Sequence, residues 1–97
     1  MNRHSSPESS EEAEIIALKV LGFLASEPDR LHRFMDLSGL DVAAIRASAA
    51  DPAFLGALLD HVLSDQTLLL IFAEENGLKP ERIVQLRRKL PGAAIDF

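Results

Sequence analysis

Leu68, Leu69, Leu70, Ile71, Phe72 and Ala73 follow one another without a polar residue. Helix signals bracket the run, with Ser64-Asp65 before it and Asn76-Gly77 after it. Successive residues of a helix are turned by about 100°, so such a run points apolar side chains to every side. A helix here needs protein around nearly its whole circumference, or a place in an interface. It falls far short of the ~20 apolar residues that span a bilayer, and so does every other apolar run in the chain. The rest of the chain therefore has to be arranged around residues 66–76.

Start and stop signals divide the remainder into short helices. Ser9 with Glu12 three residues on reads as a capping box, and from Ile15 to Ala25 only Lys19 and Gly22 interrupt an apolar helix. Pro28 suits the first turn of a second helix with Leu31, Phe34, Met35 and Leu37, which Gly39 ends. Asp41 caps a short Ala-rich third helix. Asp51-Pro52 opens a fourth, with Phe54, Leu55, Leu58, Leu59, Val62 and Leu63. Ser64-Asp65 either caps a fifth helix or bends one long one. Gly77 closes the fifth, and Pro80 opens a sixth with Ile83, Leu86 and Leu90 on one stripe. No period-2 alternation runs long enough to compete. The expectation is an all-α, compact orthogonal bundle of five to six short helices around a central apolar helix at about 66–76. Residues 1–9 read as a disordered N-terminal tail, 10–90 as a single helical domain and 91–97 as a C-terminal tail.

A chain of 97 residues supports one modest core and no deep cleft. Hydrophobic residues make up 47%, and they are mainly Leu and Ala, which favour helices over sheets. There is no cysteine, which removes disulfides, thiolate metal sites and thiol chemistry. The first fourteen residues lack the basic segment and apolar run of a signal peptide. These features together predict a soluble cytoplasmic protein. The net charge of −5 is unevenly spread. Up to position 78, 13 acids face 5 bases, whereas between positions 79 and 89 Lys79, Arg82, Arg87, Arg88 and Lys89 face only Glu81. An acidic body with one basic helix bears on partners rather than on fold.

Catalytic chemistry finds little footing. His4, His32 and His61 are far apart in sequence with no ligand-type spacing between them, so no metal site is expected. No serine sits in a glycine-flanked elbow, and glycines 22, 39, 56, 77 and 92 are scattered singly, so neither a nucleophile nor a phosphate or dinucleotide loop is indicated. The expectation is a non-enzyme without cofactor, small-molecule substrate or membrane contact. Glu74 and Glu75 occupy the last turn of the fifth helix, where the helix dipole disfavours negative charge by roughly 0.3–1 kcal/mol. They either pair with Lys79, Arg82 or Arg88 or form an acidic rim for a basic partner. Ala73, Gly77 and Ile83 also keep the spacing of a helix-turn-helix, with Leu78 and Leu86 at further apolar positions. Against DNA reading stand the apolar first helix, Glu81 at the tip that would enter the groove, and the acidic body.

Glu-Pro-Asp-Arg-Leu at 27–31 before Phe34, Leu37-Ser-Gly-Leu40, Asp51-Pro-Ala-Phe-Leu55, Leu63-Ser-Asp65, Phe72-Ala-Glu-Glu-Asn-Gly-Leu78 and Leu90-Pro-Gly92 together resemble a family of short bacterial all-helical proteins catalogued as a domain of unknown function. The resemblance implies a compact helical fold and no assigned activity, substrate or cofactor. From the residues themselves, two functions compete. The first is a cytoplasmic helical domain acting through protein contacts or self-association, a homodimer included. The second is a small DNA-binding regulator using residues 66–90. The candidate interaction surface is Glu74, Glu75, Lys79, Arg82, Gln85, Arg87, Arg88 and Lys89.

Overall fold

A computed structural model describes residues 5–92 of the chain, with side chains from residue 10 onwards. Six helices follow in order: α1 (Ser5–Ala25), α2 (Pro28–Ser38), α3 (Val42–Ser48), α4 (Pro52–Leu63), α5 (Gln66–Glu75) and α6 (Pro80–Arg87). The all-α class and six short elements are as the start and stop signals indicate. Residues 1–4 and 93–97, the outer parts of the two expected tails, lie outside the described residues. The N-terminal boundary differs from expectation. The helix already runs from Ser5, so Ser9 lies inside it and the Ser9–Glu12 box is not its start.

Aspartates set most of the other boundaries. Asp41 accepts a hydrogen bond from the backbone N–H of Ala44 at 2.8 Å, and Asp51 accepts one from Ala53 at 3.0 Å. Asp65 accepts from both Thr67 and Leu68, at 3.1 and 3.2 Å. These N–H groups have no intrahelical partner at a helix start, so each carboxylate satisfies donors the helix leaves open. The double cap at Asp65 decides the open question at Ser64-Asp65: α4 and α5 are separate helices. Proline stands in the first turn of α2, α4 and α6, where its missing N–H costs nothing.

The centre of the bundle is α4, not the apolar helix at 66–76. Phe54, Leu55, Gly56, Leu58, Leu59 and Val62 are all buried on α4, which packs against α1, α5 and α6. On α5 only Leu68, Phe72 and Ala73 are buried, and Leu70 is 49% exposed. The reason is geometric: α5 packs chiefly against α4 and α6, and two neighbours cover only part of a helix. Phe72 reaches the core from that covered side and meets Phe23 of α1 edge-to-face at 5.4 Å, a preferred arrangement of aromatic quadrupoles. At the other end Phe34 of α2 meets Phe54 at 6.2 Å, while the Arg30 guanidinium lies 4.1 Å over the Phe23 ring and ties α2 to α1. Among the described residues no single helix is long and apolar enough to cross a membrane. Only α3 and α4 together pass on length and composition, and they are bent by 120°.

Candidate interaction surface

Helix α6 arises where the Gly77 turn reverses the chain. Gly77 takes φ = 64°, a left-handed conformation that favours glycine. The N–H of Leu78 then reaches back to the carbonyl of Ala73 at 2.9 Å, and that of Gly77 to Glu74 at 3.3 Å, the paired bonds of a Schellman helix end. Ala73 and Ile83 are both buried where α5 and α6 meet. Of the three positions read from the sequence as a helix-turn-helix spacing, Ala73 and Gly77 shape the turn and Ile83 is buried on α6.

The charges around it are arranged differently from expectation. Glu74 and Glu75 are exposed, and among the described residues neither pairs with Lys79, Arg82 or Arg88. Arg82 turns instead to α1, where its Nη2 donates to Glu12 at 2.5 Å, and its Nη1 lies 3.4 Å from Gln85 Oε1. Lys79, Gln85, Arg88 and Lys89 are exposed. With Arg82 paired, the solvent-facing charges of this turn and helix are Lys79, Arg88 and Lys89 against Glu74, Glu75 and Glu81, which cancel.

Arg87 leaves the surface altogether and is only 7% exposed. Its Nε and Nη2 donate to the two oxygens of Asp60 on α4 at 2.6 and 3.0 Å, a bidentate fork. Its Nη1 donates to the carbonyls of Leu90 and Pro91, each at 3.1 Å. The guanidinium lies against the backbone of α4 at Gly56, where an added Cβ would stand 2.8 Å from Nη1 and 2.9 Å from Cζ. Gly92, at φ = 87°, closes the other side. One side chain thus fastens α6, α4 and the Leu90-Pro91-Gly92 turn. The sequence alone puts Arg87 on the interaction surface; the fold instead buries it away from solvent. Gly56, in the interior of helix α4, was the only local signal that something approaches there closely.

His61 is the other polar group turned inward. Its ring packs edge-to-face on Phe34 at 5.0 Å, and its Nε2 is buried without a hydrogen-bond partner. Burial pushes its pKa below the ordinary 6.5, Asp65 raises it in part, and Arg33 lowers it further. The imidazole is neutral in the folded state where the unfolded chain would bind a proton, so its contribution to stability is full above pH 6.5 and is lost as the pH falls through the folded-state pKa. The urea midpoint of the wild type is therefore expected to fall more than that of His61→Gln between pH 7.5 and 5.5. Parallel declines would remove His61 as the cause.

Among the described residues no three His, Asp or Glu side chains are grouped to hold a metal ion. The bundle also leaves large apolar side chains in solvent: Ile15 is 52% and Leu18 46% exposed on α1, with Leu37, Val42, Leu70 and Val84 elsewhere. A family described as a protein of unknown function, DUF3572, matches residues 10–93. The chain belongs to that family. The matched span takes in the Gly56, Asp60, Arg87 and Gly92 cluster as well as the exposed face of α1, so both lie within this chain's DUF3572 domain. No curated protein and no solved structure matches the chain.

Proposed function

We propose that this DUF3572 protein is a non-enzymatic cytoplasmic domain that acts through protein contacts, self-association included. The observation that carries the reading is the outer face of α1. Ile15 and Leu18 stand half exposed there, while Ala13, Ala17, Val20 and Leu24 of the same helix are completely buried on the other side. Neighbouring large apolar side chains left in water on a long helix mark a surface that gains by being covered. A photo-crosslinking residue at position 18, introduced in cells, is expected to yield discrete protein adducts that the same residue at exposed Arg46 does not. Equal labelling at both positions would sink the reading.

The DNA-binding alternative keeps its turn geometry and loses its charge. A duplex is held by cations facing its phosphates, and here Arg87 is buried, Arg82 is engaged with Glu12, and Glu74, Glu75 and Glu81 offset the rest. Titration into labelled random duplex DNA is expected to show no binding at physiological salt, with Arg88→Gln/Lys89→Gln indistinguishable from wild type. Binding that persists there, with a salt slope matching several phosphate contacts, would overturn this in favour of a regulator.

A further inference from the structure

The outward residues of α1 follow a definite pattern. Glu11, Ile15, Leu18 and Gly22 are exposed and recur at intervals of four, three and four, which lines them up as one seam along the helix. Nothing lies within 4 Å of where a Cβ on Gly22 would stand, so that end of the seam is open. Glu12 and Lys19 flank the seam on the same side, one turn before and one turn after its middle. The Glu12 carboxylate is oriented by Arg82, yet its side chain remains 46% exposed.

We propose that a second copy of the chain covers this face, with the two α1 helices running antiparallel about a two-fold axis near residues 16 and 17. This specifies the partner in the reading above and rests on it. The argument is one of complementarity. In the antiparallel register Ile15 of each copy seats on Leu18 of the other, and Glu11 falls opposite the open side of Gly22. Glu12 falls on the same flank as Lys19 of the other copy, offset by about two residues of rise or roughly 3 Å, within reach of an ion pair that the symmetry makes twice. A parallel pairing places Glu11 against Glu11, like charges in the seam itself. The apolar part of the seam, Ile15 to Gly22, spans only about two helical turns, so the interface sits at the small end of specific interfaces and the dimer is weak and concentration-dependent.

The chain has no cysteine, so single introduced cysteines report the geometry directly. Near the axis, positions 18 of the two copies are separated by about three residues of helix rise, whereas positions 22 are separated by about eleven, or roughly 16 Å. Under mild oxidation Leu18→Cys is expected to form a disulfide dimer about tenfold faster than Gly22→Cys or the exposed control Arg46→Cys, because association raises the local thiol concentration. Sedimentation of the full chain should show mass rising with concentration, and Lys19→Glu, which faces Glu12, should hold it at the monomer. Equal rates at 18 and 22 would overturn the antiparallel arrangement. A strict monomer at the highest concentration, with position 18 no faster than position 46, would overturn the dimer; the in-cell adducts from position 18 judge the broader reading separately, by whether they carry the mass of a different protein.

Discussion

Arg87→Ala is expected to lower the unfolding free energy by about 2–4 kcal/mol, out of a total of about 5–10 kcal/mol for a domain of this size. Breaking a buried pair costs most where the abandoned partner stays buried. Here Asp60 is 58% exposed at its side chain and returns to water, which holds the cost below the upper end for such pairs. The rest comes from the carbonyls of Leu90 and Pro91, which lose their donor, and from the buried stem of the arginine. Gly56→Ala tests the same site from the other side. In an open helix the change stabilises by up to about 1 kcal/mol, but here the new methyl meets a guanidinium pinned by four hydrogen bonds. We expect a net loss of about 1–3 kcal/mol. In the Arg87→Ala background the guanidinium is gone and only the Pro91 carbonyl, 3.0 Å from the added Cβ, stays close, so the loss should shrink. Urea unfolding of the two single variants and the double variant gives the coupling directly. An additive cycle would show that Gly56 and Arg87 do not constrain one another.

That cluster marks where the sequence stopped being legible. The helix boundaries were readable because capping is local: Asp41, Asp51 and Asp65 act within three residues of themselves, and Gly39 and Gly77 each take a backbone conformation that their own residue type permits. The family resemblance was readable for the same reason, since its motifs lie largely at these turns. Asp60 and Arg87 are 27 positions apart, and nothing in either neighbourhood distinguishes a surface arginine from one that folds back onto a glycine of another helix. The Arg82–Glu12 pair, 70 positions apart, was hidden in the same way, so the acids nearest in sequence, Glu74 and Glu75, looked like the natural partners. The exposed seam of α1 was partly visible. An apolar stretch from Ile15 to Ala25 announced more apolar surface than a small bundle covers, but not which face would be left over.

The identity of the central helix is the sharpest case, and it gives the second large prediction. Phe72→Ala is expected to destabilise the domain by about 3–5 kcal/mol, the loss of a fully buried aromatic plus the cavity it leaves between α5 and α1. Leu70→Ala, two positions away in the same apolar run, is expected to change stability by less than about 0.5 kcal/mol, since its side chain is half in water and alanine is the better helix former. Were α5 enclosed on all sides, as its composition suggests, Leu70→Ala would cost about 2–5 kcal/mol as any core leucine does. Should Phe72→Ala fail to fold, Phe72→Leu preserves the comparison at a smaller cost, because it keeps most of the volume. Measured at low protein concentration, where α1 faces water in either case, the contrast between positions 70 and 72 reports only how α5 is covered. A large loss at Leu70 would return α5 to the centre of the bundle, and a small one leaves α4 there, with the apolar surplus of α5 facing outward as that of α1 does.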